Sequence, residues 1–527
     1  MIIINSIQNL FIFFLFNLFF FISTLGYGKF LIHFLKLEKI NLNYFEPVFF
    51  GLISYLILGF VFYNTFGNSY YSNIVVLIVG IFLFLFYRNI SLPSIRKIIF
   101  FLIIFFSGLI ISKTHEDFPT YHFFSVQQIF EHKLTIGLPL LNFRFVHASL
   151  LSYVQSLYVL PFFEYRLIHL PVFFLYISTA GYFAFHVFNS KKNLEVFFSL
   201  FIIGLIIVKF SRLAEHGYDF PAQFMLLVIF HKIYFYGNFL KEIFKSKIFF
   251  LFAILIKPTS LLFLPIFLFV LFKSKFILFL NLLKDKFFLF ISVTLLVVLI
   301  FTSFVRTGCL FYPVTQTCFS TNDIFWSQEI ELKKHNQIII DYAKGFNHQK
   351  ASKYPVIEDR GEYFKNFHWL KVWIDIHFFY KIFEFLVISF LIIFILYFFA
   401  NKKKYELAPK NIYLVSILSF FSILFWLLTV PQFRFGFSSI LIFLFFLCFL
   451  IQKKIFHYKN KSIFIFLVLC ILVFNFKNIV RIDSELKRQD NFKFTNFPWY
   501  SNKLEEYDSS KISIITKKGI RIINKNN

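Results

Sequence analysis

The stretch FVHASLLSYVQSLYVLPFF, residues 145–163, has the length of a bilayer-spanning helix, and whether it crosses decides the topology of the whole chain. If it crossed, the basic turn at Lys191 and Lys192 would fall on the outer side, and every later basic cluster would be inverted with it. It also carries His147, Ser149, Ser152, Tyr153, Gln155 and Ser156, polar residues that a lipid-facing span avoids. The stretch therefore reads as a helix lying at the outer interface with one wet face, inside one long loop from about 113 to 166.

The sequence on both sides of it is that of an integral membrane protein. Of 527 residues 58% are hydrophobic and 15% charged, with a mean hydropathy of +0.73, well outside the range of soluble domains. Apolar runs long enough to span recur at 9–27, 47–66, 72–88 and 98–112. They continue at 167–187, 195–209, 219–237, 248–256, 258–273 and 286–304, and end with 378–400, 411–430, 435–451 and 462–476. The runs are apolar on every face, which excludes the alternating pattern of a transmembrane β-barrel. The expectation is an all-α polytopic membrane protein of about fourteen helices. The first run lacks a basic leader and a small-residue cleavage site, so it reads as a retained helix. The 91 phenylalanines, beside abundant Ile, Lys and Asn, fit an AT-rich coding sequence better than an aromatic binding surface.

Charge sets the orientation. Basic residues cluster at Lys29, Lys36 and Lys39; at Arg88, Arg96 and Lys97; at Lys191 and Lys192; and at Lys241, Lys245 and Lys247. Further clusters are Lys273, Lys275, Lys284 and Lys286; Lys402 to Lys404; and Lys453 with Lys454. Assigned to cytoplasmic loops, they account for much of the net charge of +26. No basic stripe is interleaved with aromatics, so nucleic acid is not an expected partner.

Five regions follow: a three-helix membrane extension (1–97), a membrane core with the first outer loop 113–166 (98–304), a second outer loop (305–377), a four-helix membrane region (378–476) and an outer tail (477–527). The tail alternates at 511–516 and 520–523, which suggests a β-hairpin. Cys309 and Cys318 share the second outer loop, where an oxidising exterior permits a disulfide; two free thiols are the alternative. Cys448 and Cys470 lie within spans and read as packing residues.

Residues suited to chemistry collect on the outer side. The first outer loop opens with Lys-Thr-His-Glu-Asp-Phe-Pro-Thr-Tyr-His (113–122), placing Glu116 and Asp117 at the membrane face, followed by Tyr121 and His122. A carboxylate at the mouth of a bundle can serve as general base toward a hydroxyl. Asp117 ahead of Pro119 also suits a helix N-cap, and the two readings are compatible. Arg144 and His147 follow, then Arg212, His216 and Asp219 in the next outer loop. Lys257 stands between two apolar runs, where facing lipid would be costly, and Arg434 lies at another outer helix junction in Pro-Gln-Phe-Arg-Phe-Gly (431–436). Isolated outer cations at helix ends fit a site for an anionic group, with lipid-headgroup anchoring as the plainer alternative.

In these motifs and their order the chain resembles the GT-C superfamily of polyprenyl-phosphate-sugar-dependent glycosyltransferases, and within it a bacterial branch of large membrane proteins. The resemblance spans roughly 98–476. It rests on Asp-x-x-x-Tyr-His (117–122), the interfacial segment 145–163, Asn-x-Arg (142–144) and Asp-Phe-Pro (219–221), with Lys257, Gly-Cys-Leu-x-Tyr-Pro (308–313) and Pro-x-x-Arg-Phe-Gly (431–436). It implies a GT-C-like bundle in a bacterial inner membrane, with the active face and the C-terminus toward the periplasm or exterior. The donor would be a polyprenyl-phosphate-linked sugar, and the acceptor a hydroxyl of a glycan, lipid or protein. Asp117 would be the base, with Glu116 the alternative beside it. Lys257, Arg434 and Arg212 would meet the phosphate, and Tyr121, His122 and His216 would position sugar or acceptor. No cofactor is required, and a divalent metal between Asp117 and Asp219 is a minor alternative. The competing functions are a cell-surface polysaccharide polymerase or ligase and a lipid-linked glycan transporter or flippase. A transporter would be expected to show Gly/Pro-broken helices in paired halves, and the spans here are poor in both.

Overall fold

In a computed structural model the chain is mostly helical. The structure describes residues 2–37, 43–87, 95–111, 117–147, 149–211, 217–237, 239–273, 285–407, 409, 411–452, 454–488, 512–517 and 520–525. Helices lie at all the expected positions, and among the described residues eight are long and apolar enough to cross a membrane. These eight are Gln8–Phe34, Glu46–Asn64, Tyr165–Asn189, Lys286–Thr307, Trp369–Phe399, Ile412–Thr429, Phe433–Leu450 and Asn460–Ser484. Tyr70–Phe86 is a shorter apolar helix.

Two expectations about particular segments are corrected. The piece 248–256 is the second half of a longer helix, Leu240–Ile256, so Lys241, Lys245 and Lys247 are helical instead of lying in a loop. Residues 145–163 form neither a helix long enough to span nor an interfacial helix with a wet face. The segment breaks into a 3-10 turn, Phe143–His147, and a six-residue helix, Leu151–Ser156, and every residue from Leu151 to Leu160 is buried. Its polar groups are satisfied inside the protein instead of by water. The Gln155 amide donates to the Ile168 carbonyl at 2.9 Å and accepts from the Tyr218 hydroxyl at 2.8 Å. The Asn73 amide donates to the carbonyls of Ser156 and Val159, both at 2.8 Å. The polar residues from Ser152 to Ser156, which read as water-facing in sequence, are buried and hydrogen-bonded.

Strands appear at both ends of the bundle. Ala400–Leu407 pairs antiparallel with Lys454–Tyr458, so Lys402 to Lys404 and Lys454 sit on a small sheet. Ile512–Lys517 and Ile520–Lys525 pair antiparallel, and the second strand adds in parallel to Thr135–Ile136 of the first loop. Ile523 is thereby buried against Tyr121, Phe124, Leu138 and Phe145.

The two ends differ in chemistry. At one, the Lys241 ammonium donates to the Lys36 carbonyl and the Asn193 amide to Glu406. The helix Leu240–Ile256 carries the chain from that end to Lys257 at the other, about 25 Å away by helix rise. Lys39, Arg88, Lys275, Lys284 and Lys453 of the basic clusters lie outside the described residues.

Candidate active site

Lys257 is set by its successor. Proline forces the residue before it out of the helical region, and Lys257 is extended at φ −151°, ψ 118°, ending one helix as Pro258 begins a 3-10 turn. The side chain turns toward Asp219, in the first turn of the helix Asp219–Tyr236, where a carboxylate is favoured by the helix dipole. Lys257 Nζ lies 2.9 Å from Asp219 Oδ1, and an Arg434 guanidinium nitrogen lies 3.3 Å from Oδ2.

Arg434 is held as firmly. Its Nε donates to the Gln432 side chain at 2.8 Å, and the Gln432 carbonyl accepts from the Trp426 indole at 2.8 Å. The Pro431 carbonyl accepts from the Trp373 indole at 2.9 Å. A Cβ on Gly436 would stand 2.8 Å from the Trp426 ring, which accounts for the glycine that closes the motif. Gln223 accepts from the Ser438 amide and hydroxyl and donates to the Phe435 carbonyl, locking the Asp219 helix to the Arg434 helix.

Both cations face a cavity of about 650 Å³. Its wall also carries Asp117, Tyr121, Arg144, His147, Arg306, Tyr312 and His335, and much of the rest is apolar, including Leu255, Leu261, Leu262 and Leu299. Asp219 is not part of that wall; it stands behind Lys257 and Arg434. Asp117 takes the N-cap position of a π-turn, Phe118–His122, with Pro119 in its first turn; its side chain makes no cap hydrogen bond, and its half-buried carboxylate reaches the cavity. Tyr121 shares that environment. Burial, and then the charges of Asp117 and Asp219, raise its phenol well above the ordinary value, with Arg434 opposing.

The sequence-derived set divides accordingly. Asp117, Tyr121, Arg144, His147, Lys257 and Arg434 meet around one cavity, with Asp219 bracing two of them. His122 is buried between the Tyr121 and Tyr218 rings, next to the cavity residue Tyr121. Glu116, Arg212 and His216 lie outside the described residues. Both oxygens of Asp219 face cations, which leaves the geometry poorly suited to a metal shared with Asp117.

Sequence reasoning missed Arg306 and His335. Arg306 sits in the last turn of the helix Lys286–Thr307, which stops at Gly308 in the left-handed region, φ 70°. A Cβ there would meet the Ser327 backbone at 2.7 Å. An arginine closing an outer helix end beside a glycine was the available signal. His335 lies on the helix Glu329–Ala343 and bonds His147 through their Nε2 atoms, while the Tyr312 hydroxyl holds His147 Nδ1 at 2.7 Å. Burial, then Lys257 and His335, push the His147 imidazole well below its usual value. Cys309 and Cys318 are disulfide-bonded and pair across the short hairpin that carries Tyr312.

The chain belongs to the family described as a domain of unknown function, DUF8201, whose model matches residues 10–441. That range includes every described residue of the cavity wall, while the C-terminal hairpin lies beyond it. No curated protein and no solved structure matches the chain.

Proposed function

We propose that this DUF8201 member is a GT-C-type membrane glycosyltransferase, moving a sugar from a polyprenyl-phosphate donor to a hydroxyl of a glycan, lipid or protein. The observation that carries the reading is the cavity wall. Among its described residues four cations, Arg144, Lys257, Arg306 and Arg434, and one carboxylate, Asp117, are set among aliphatic side chains. Such a lining suits an anionic headgroup joined to an apolar tail, and a carboxylate beside it suits a reacting hydroxyl.

In this reading the acceptor oxygen attacks the anomeric carbon, and its proton passes to the Asp117 carboxylate. The bond from the anomeric carbon to the phosphate oxygen breaks, and the lipid phosphate leaves with the electron pair. Direct displacement inverts the anomeric centre. The leaving phosphate needs no proton, but the charge gathering on it needs preorganised cations in a site of low polarity. Lys257 and Arg434 supply them, and Asp219 keeps both in place before the donor arrives. Glu116 remains the alternative base.

The cavity faces away from the basic end of the bundle, which under the positive-inside rule supports an exterior-facing site in a bacterial inner membrane. The neighbouring disulfide supports that side, since it requires an oxidising compartment.

The test is binding of polyprenyl phosphate against polyprenol to purified protein by native mass spectrometry. Wild type is expected to prefer the phosphate, and Lys257→Gln with Arg434→Gln is expected to lose the preference. Equal binding of both lipids by wild type would sink the reading.

A further inference from the structure

At the end of the bundle away from this cavity, three helices bring together a second set of buried polar groups. His186 lies in the last turn of Leu170–Asn189, Glu195 in the first turn of Asn193–Lys209, and His231 near the end of Asp219–Tyr236. All three are buried, and His231 is wholly inaccessible. Glu195 Oε1 lies 2.8 Å from His186 Nδ1 and 3.3 Å from His231 Nε2, and one ligand atom from each residue falls within 4.8 Å of the others.

Three features point to a cation. The first is a loose contact: His231 Nε2 is buried 3.3 Å from the Glu195 carboxylate without a well-aligned hydrogen bond to it. The second is how that ring is held. The Tyr182 hydroxyl bonds its other nitrogen, Nδ1, at 2.8 Å, the arrangement by which an outer partner fixes the orientation of a metal-binding imidazole. The carboxylate is braced likewise, accepting from the Ser190 hydroxyl at 2.7 Å and the Tyr236 hydroxyl at 2.6 Å.

The third is charge. Next to this cluster, Lys232 and Lys245 pair with Glu46 and Glu242, each lysine bonding both acids. That quartet has two charges of each sign and is neutral by itself. Glu195 is thus a buried carboxylate whose ion partners among the described residues are the two imidazoles. A buried carboxylate needs a positive partner, and neutral imidazoles do not supply one.

We propose that His186, Glu195 and His231 bind one divalent metal ion, and that this ion clamps the turn between two helices to a third. Two imidazoles and one carboxylate are a ligand set that suits zinc. Tetrahedral zinc with bonds of about 2.0–2.1 Å spaces its ligand atoms about 3.3–3.4 Å apart. The His231 pair already stands at that separation, and the His186 pair needs to open by about half an ångström to reach it. The Tyr236 hydroxyl lies 2.6 Å from Glu195 Oε1 and 3.3 Å from His186 Nδ1.

The test is metal analysis of the full chain, purified in detergent with a tag free of histidine. After exposure to zinc and gel filtration, wild type is expected to retain one zinc per chain. Cobalt in its place is expected to give the visible ligand-field bands of a tetrahedral site, and X-ray absorption to show nitrogen and oxygen neighbours at about 2.0–2.1 Å. His231→Gln and Glu195→Gln are expected to lose the metal. Should either variant fail to fold, the wild-type cobalt spectrum decides. Wild type retaining neither metal stoichiometrically would overturn the proposal, as would both variants retaining zinc at the wild-type level.

Discussion

Lys257 Nζ stands 2.9 Å from Asp219 Oδ1, so a cation that faces the cavity is anchored by a carboxylate outside the cavity lining. Arg434 takes the other oxygen of that carboxylate. Asp219 is a positioning residue. Asp219→Asn is expected to leave lipid-phosphate binding intact while transfer falls about 100-fold, the scale of a misplaced catalytic group. Lys257→Gln is expected to weaken binding itself. Steady-state kinetics separates the two, and unaltered transfer in Asp219→Asn would remove the anchoring role.

The buried quartet makes a stability prediction. Lys245 is wholly inaccessible and bonds Glu46 and Glu242, so Lys245→Met leaves a buried negative charge without its partner. The expected cost is about 3–5 kcal/mol, seen as a lower apparent melting temperature in detergent. Adding Glu242→Gln is expected to recover part of that loss. A single variant that melts like wild type would show that the quartet is not a closed unit.

The histidine pair on the cavity wall makes a prediction about pH. His147 and His335 both titrate below the ordinary imidazole value, chiefly through burial. The folded chain therefore resists a proton that the unfolded chain accepts near about 6.5. Their contribution to stability is complete above that value and is lost as pH falls below it, toward the depressed folded values. Thermal melts between pH 7.5 and 5 are expected to show this decline, and His147→Gln with His335→Gln is expected to flatten it. An equal slope in the double variant would contradict the assignment.

The C-terminal strand supports the first loop from outside the family match. Ile523 is buried against Tyr121, and the Arg521 guanidinium donates to Gln128 at 2.8 Å. Ile523→Ala is expected to cost about 2–5 kcal/mol of local stability. Hydrogen exchange is expected to rise across residues 118–131 and to stay as in wild type in the helix Glu46–Asn64. Unchanged exchange at 118–131 would show that the strand does not brace the site.

What the sequence made legible was local or periodic. Apolar runs located the helices, Lys257 before Pro258 stood out as an expensive cation, and the alternation near the C-terminus matched two paired strands. What it hid depends on partners far along the chain. Lys245 read as a cytoplasmic loop residue because Glu46, 199 positions away, is invisible to local pattern. The polar residues of 145–163 read as wet because Asn73, Ile168 and Tyr218, which satisfy them, come from other segments. His335 joined the site through His147 across 188 residues, with no local signature.

The most direct measurement is the surface-glycan profile, by mass spectrometry, of a knockout host complemented with wild type or with Asp117→Asn at equal protein level. Loss of one sugar mass is expected in the knockout, restored by wild type and not by Asp117→Asn. Equal restoration by both would contradict Asp117 as the base, and an unchanged profile in the knockout would contradict glycosyl transfer itself.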